Sequence, residues 1–355
     1  MRTLLLRTLR AHVRRTVMTS LAVVLGVALI SGTLIFTDTI NRTFDEIGDT
    51  SYRGVAVAVT PAVPPGTPDA ADDDDGRALP RDLEQKVAAA PHVRQARGQI
   101  DGTALVFEKD GRTRIGGQGP PSILLSTLPD GYGAINYTEG RAPRAGDEVA
   151  FDDATAEKAD ARVGDVVHIQ GEGPRRRMRL VGIVQLGDGT ASFGGATLTF
   201  TTLETAAELT GRTADRYYSE ILALGEQGVG DEQVAQSVRD AVGDAGTVRT
   251  GEAQGDQQAQ DIKDAIAFLP TMLLIFAGIA TFVGSFLIFN TFSITMAQRQ
   301  REFALLRALG ANRRQVRTMV TGEALAVGVI GAVLGMVGGF LVAPGLRALI
   351  KSFGA

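Results

Sequence analysis

Three long stretches without a single charged residue constrain this chain more than anything else in it. Residues 17–37 run for 21 positions, 265–297 for 33 and 324–346 for 23 without Asp, Glu, Lys or Arg. A helix needs about 20 mostly apolar residues to cross a bilayer core about 30 Å thick. The overall hydrophobic content of 44% is ordinary, so segregation, not composition, carries the signal. The pattern predicts three transmembrane helices, at 17–37, within 265–297 and within 319–346.

Arginine placement orients them. Residues 1–16 hold Arg2, Arg7, Arg10, Arg14 and Arg15 and no acid. The connecting stretch 298–318 holds Arg299, Arg301, Arg307, Arg313, Arg314 and Arg317 against Glu302 alone. Positive loops stay in the cytoplasm, so both are expected there, in the plasma membrane, with 38–264 and the tail 347–355 outside. The outer segment has 23 of the 36 bases and 38 of the 40 acids, a net charge of −15. The first apolar run is too long for a signal-peptide core and lacks a small-residue cleavage site after it, which predicts an uncleaved anchor. Leu5, Leu9 and Val13 recur every fourth position among the arginines. This suits a helix lying in the inner interface, or else a basic tail that only sets topology.

The outer segment is predicted to be a large α+β domain inserted between the first and second spans. The stretch PAVPPGTPDAADDDD (61–75) reads as a solvated loop. Short helices are expected after Pro80, at 203–211 ending on Gly211, and at 231–244. A hairpin is expected to turn at Lys109, Asp110 and Gly111. Residues 163–186 alternate like strands of a small β-barrel or compact antiparallel unit. Ala259, Ile262, Ile266 and Leu269 keep a helical spacing into the second span, with Pro270 able to kink the join. A helical stalk is expected there.

Catalytic constellations are missing. His12, His92 and His168 are far apart in a chain without cysteine, so no metal centre is expected. The glycines at 187, 189, 194 and 195 lack the Gly-Lys-Ser/Thr ending of a phosphate loop. Lys351 and Ser352 do adjoin, but Ile350 stands where that loop needs glycine. The chain is therefore expected to bind no nucleotide in the P-loop manner and to be no enzyme. Nor is it expected to bind nucleic acid.

Two segments remain. In REFALLRALGANRRQV (301–316), Phe303, Leu306 and Leu309 form an apolar stripe, Gly310 is placed to end a short helix in the left-handed conformation, and Asn312 with Gln315 makes a capping box for the next helix. Such a basic, partly apolar elbow is either a docking surface or a connector whose arginines meet lipid head groups. In the third span, Gly328, Gly331, Gly335 and Gly339 recur at spacings that let helices approach closely.

The run QRQREFALLRALGANRRQV (298–316), followed by Glu323 and a Gly-rich span, resembles the signature of FtsX-like permeases, the membrane subunits of ABC transporters of the MacB and LolC type. EGRAPRAGDEVAFDDATAEKADARVGDVV (139–167) resembles their outer domain. The resemblance implies that ATP is used by an ABC-type ATPase on another chain and that no cofactor is bound here. It implies that the elbow, through Glu302, Phe303, Leu305, Leu306, Arg307, Leu309, Gly310, Arg313 and Arg314, contacts that ATPase, and that the stalk relays the motion for export or mechanotransmission. A homodimer, or a pseudo-dimer with a second permease half, is expected within membrane lipid. The family has a fourth span after the third, which reads as truncation of this chain. A membrane-anchored regulator of a cell-wall hydrolase or envelope ligand is the alternative.

Overall fold

A computed structural model of the chain describes residues 13–62, 78–115, 122–187, 196–212 and 217–353. The stretch 1–12, the four aspartates at 72–75 and the glycines at 189, 194 and 195 lie outside these residues. In chain order the elements begin with α1 (Val13–Ser51), β1 (Val57–Thr60), α2 (Arg81–Ala88), β2 (Val93–Gln99), β3 (Asp101–Thr103), β4 (Leu105–Phe107), β5 (Arg114–Ile115) and β6 (Ser122–Ser126). There follow β7 (Ile135–Gly140), β8 (Glu148–Asp152), α3 (Asp153–Lys158), β9 (Val166–Gln170), β10 (Arg176–Leu186), β11 (Thr197–Thr201) and α4 (Leu203–Leu209). The chain continues through β12 (Glu220–Gly225), α5 (Asp231–Val242), β13 (Thr247–Thr250), α6 (Gly251–Ile266), α7 (Phe268–Gln298), α8 (Gln300–Ala308) and α9 (Arg313–Phe353).

Two compact units result, one holding the apolar helices and one holding residues 41–265. Val23–Ser51, Phe268–Gln298 and Arg313–Leu341 are each long and apolar enough to cross a membrane. Hydroxyls inside α1 are satisfied within the helix: Ser31 donates to the Val27 carbonyl at 2.8 Å and Thr33 to the Leu29 carbonyl at 2.8 Å. The helix does not stop at Thr37 but continues to Ser51 through Asp38, Asp45 and Asp49. Pro270 sits in the first turn of α7, where a missing N–H costs nothing. Its ring excludes a continuous helix back to Ile266, and α6 ends at that residue.

The second unit is α+β. A four-stranded sheet runs in the order β13-β1-β12-β2, antiparallel throughout. Leu83 and Val87 of α2, and Val234, Ala235, Val238 and Val242 of α5, bury their apolar stripes in its core. Each of these leucine and valine side chains stabilises the fold by about 1.5–3 kcal/mol relative to exposure. The second sheet has nine strands in the order β3-β6-β11-β8-β10-β9-β4-β5, with β7 also on β10. Within 163–186, β9 and β10 pair antiparallel, as the alternation predicts; they form no closed barrel but part of a mixed sheet, because β8 runs parallel to β10 and β6 parallel to β11. A parallel pair needs a crossover instead of a tight turn, and α3 lies in the connection from β8 to β10. The expected hairpin turn does form between β4 and β5, where Gly111 takes φ 67° and Asp110 Oδ1 accepts from the Arg112 and Thr113 N–H groups.

Candidate coupling site

The elbow folds by local chemistry alone. Gly310 takes φ 97°, a conformation that only glycine adopts without strain. Its N–H donates to the Arg307 carbonyl at 3.0 Å and the Ala311 N–H to the Leu306 carbonyl at 3.0 Å. Together these make the paired closing bonds of a Schellman cap. Two residues later the Asn312 N–H donates to Gln315 Oε1 at 2.9 Å, and Asn312 Oδ1 accepts from the Arg314 N–H at 3.3 Å. The chain thus stops one helix and starts the next within four residues.

What this elbow presents is apolar and basic. Leu305 is 64% exposed, Leu306 38% and Leu309 80%. Arg301, Arg307, Arg313 and Arg314 are exposed around them. Phe303 differs from the expected stripe. It is half-buried, with the Arg299 guanidinium 5.8 Å from its ring centroid. The apolar surface is therefore made by Leu305, Leu306 and Leu309. Of Glu302 only the backbone, within α8, is described.

The glycines of α9 split into two groups. Gly331, Gly335 and Gly339 are buried. A Cβ on Gly335 would lie 2.6 Å from Val27 Cβ and 2.9 Å from the Val24 carbonyl oxygen; one on Gly339 would lie 2.9 Å from the Ala28 carbonyl oxygen. Both contacts are with α1, so the small residues of the third span pack against the first span of the same chain. Gly328 has open space where a Cβ would be.

Within the second unit, the C-terminal part of α1 and helix α6 form a joint that sequence reading did not single out. Gly48 of α1 and Gly255 of α6 touch backbone to backbone: a Cβ on Gly255 would sit 2.8 Å from the Gly48 carbonyl oxygen. Lys263 Nζ meets Asp45 Oδ1 at 2.5 Å. Tyr52, just past α1, donates its hydroxyl to Glu220 Oε2 of β12 at 3.1 Å. Burial pushes the Glu220 carboxyl up to about 8, with the nearby Asp101 charge acting in the same direction. The C-terminal part of α1 and the stalk helix α6 are thus tied to each other, and the chain just past α1 to the four-stranded sheet. The only sequence signal was a pair of helical glycines 207 positions apart in a chain with 43.

The segment 139–167 is organised by one carboxylate. Glu148 accepts from Arg141 Nη1 at 2.8 Å and Nη2 at 2.6 Å, and from the Arg144 N–H at 2.8 Å. The Arg141 guanidinium and that backbone N–H hold its carboxyl at about 2, below the ordinary 4.5. A depressed acid contributes stability above its unfolded value, and loses it as the pH falls toward the folded one. Glu148→Gln is therefore expected to melt about 2–4 °C below the wild type at pH 7. In melting curves at a series of pH values, the gap should close as pH falls from 4.5 to about 2. An unchanged gap at the acid end would assign the effect to shape and not charge.

Among the described residues no cluster of His, Asp and Glu could hold a metal ion. The model of the MacB-like periplasmic core domain matches residues 16–241, and that of the FtsX-like permease C-terminal region matches 274–354. The chain belongs to the FtsX-like permeases with a MacB-like periplasmic core domain. It is thus a membrane protein with an extracytoplasmic segment. The permease is 29% identical over 195 residues to an uncharacterized ABC transporter permease protein of Mycobacterium tuberculosis, covering 55% of this chain and 22% of that one. It is 23% identical over 196 residues to an uncharacterized ABC transporter permease of Methanocaldococcus jannaschii, covering 55% and 47%. The match spans less than half the length of either relative. Among solved structures it is similar to the periplasmic region of MacB from Actinobacillus actinomycetemcomitans, with TM-score 0.39, 11% identity, and 59% of this chain and 95% of that one covered. The extracellular domain of the noncanonic ABC-type transporter YknZ from Gram-positive bacteria gives TM-score 0.35 and 13% identity, covering 49% and 89%.

Proposed function

We propose that this permease couples ATP hydrolysis on a separate ABC-type ATPase to movement of its extracytoplasmic domain, for export or for transmission of force. The observation that carries the reading is the elbow: three exposed leucines ringed by arginines, on a short helix held between two apolar helices. Apolar side chains gathered at one exposed place mark an interaction surface, and family membership supplies the kind of partner. The N-terminus and the elbow face the cytoplasm in this reading, because both are arginine-rich. The joint at Gly48, Gly255, Lys263 and Tyr52 then carries stalk motion into the sheet. A second permease half, as a homodimer or pseudo-dimer, completes the assembly in the membrane.

Orientation is tested by cysteine placement in a chain that has none. Arg313→Cys and Asp231→Cys, both at exposed positions, are expected to react oppositely with an impermeant thiol reagent. Asp231→Cys should label in intact cells, and Arg313→Cys only after permeabilisation. Labelling of Arg313→Cys in intact cells would place the elbow outside and remove the ATPase from its reach.

A further inference from the structure

The outer domain carries a basic face that its own carboxylates do not answer. Strands β5, β4, β9 and β10 lie side by side, and their registers pair Arg114 with Phe107, Phe107 with His168, and His168 with Arg177. The residues alternating with this row, Ile115, Val106, Ile169, Val167 and Met178, belong to the buried core. Successive side chains of a strand point to opposite faces, so the row lies on the face away from that core. Arg175 and Arg179 flank Arg177 at two-residue steps and share its face. All four arginines are exposed.

Neighbouring cations are neutralised: Lys109 meets Asp165 at 2.8 Å, and Arg176 meets Glu208 at 2.6 Å. Arg114, Arg175, Arg177 and Arg179 have no carboxylate partner among the described residues. Glu148, which pairs in register with Arg179, is held by Arg141. One of the four is fixed in advance. The Arg175 guanidinium lies 3.6 Å from the Phe107 ring centroid and donates to the Gly111 carbonyl oxygen. Beside the arginines, Val166 is 39% exposed and lies opposite Arg179. This positive face stands in a segment whose net charge is −15.

We infer that this face docks an acidic, partly apolar polypeptide segment of a partner protein. Guanidinium forks match carboxylates two bonds at a time. From Arg114 to Arg177 is three strand spacings, about 14 Å, and from Arg177 to Arg179 about 7 Å along the strand. One carboxylate cannot span that, whereas alternate side chains of an extended polypeptide can. Val166 decides between polypeptide and sugar-phosphate polymer, because only the former brings apolar side chains to cover it. The inference is independent of coupling at the elbow.

The test uses the full chain in detergent, titrated with a fluorescent peptide of alternating Glu and Leu and with an all-Glu peptide of equal charge. Binding of the Glu-Leu peptide should weaken as salt rises, since exposed charges are screened within about 10 Å at 0.1 M. Arg114→Gln combined with Arg177→Gln should weaken it at least about tenfold, a change of about 1.4 kcal/mol. Arg239→Gln, at an arginine already paired with Glu232 at 2.9 Å, should leave it unchanged. Val166→Ser should weaken the Glu-Leu peptide and not the all-Glu one. Equal binding by the double variant, or equal loss with Arg239→Gln, would overturn the assignment. Tighter binding of inorganic polyphosphate than of the Glu-Leu peptide would overturn it in favour of a phosphate polymer.

Discussion

Leu306→Asp is expected to abolish co-isolation of the ATPase with the permease and with it any change in ATPase rate on assembly. Leu306 is the least exposed of the three elbow leucines, so it stands where a partner's apolar groove would close most fully. A carboxylate there would be buried without a cation, and breaking an apolar contact in this way costs about 3–5 kcal/mol, at least about a hundredfold in affinity. Arg314→Ala should weaken co-isolation much less, because an exposed ion pair is worth about 0–1 kcal/mol. Gly310→Val should act through the backbone: φ 97° is closed to a β-branched residue, so the Schellman cap and the direction of the next helix would both be lost. The measurements are co-purification and ATPase rate for each variant. If Leu306→Asp retains the ATPase and its rate as the wild type does, the elbow is a connector and the proposed coupling fails.

Gly335→Leu is expected to unfold the membrane unit at a lower temperature. A side chain there drives into Val27 and the Val24 carbonyl of α1. Backbone cannot retreat as a flexible side chain can, so the two helices must separate. Overpacking costs typically about 1–3 kcal/mol in a soluble core. In a membrane, helix association rests on close packing, without a water-driven term to restore it, so the upper end of that range is expected. Gly328→Leu, about two turns away in the same helix but open at its Cβ position, should be tolerated. Thermal unfolding of both variants in detergent decides the matter. Equal stability of the two would show that Gly335 meets lipid and not α1.

The sequence by itself determined whatever depends on neighbours a few residues away. An uncharged run long enough to cross a bilayer is a spanning helix whatever surrounds it, and all three runs are long helices. Gly310, Asn312 and Gln315 set the elbow because each bond they make closes within about one helical turn, and Gly111 set its hairpin for the same reason. Tertiary structure alone decided the rest. β1 joins β12 and β13 across most of the outer domain, and no local pattern names a strand's distant partner. The parallel pairs depend on which faces bury together, which alternation in a single strand leaves open. Past Thr37, α1 is held by contacts remote in sequence: Lys263, more than 200 residues later, meets Asp45, and Gly255 touches Gly48 backbone to backbone. The Phe303 ring, in line with two exposed leucines by spacing, is half-buried beside Arg299. The arginine face exists only because residues 105–115 and 166–179 fold into adjacent strands. Charge is local in sequence, but the field it makes depends on which strands lie side by side.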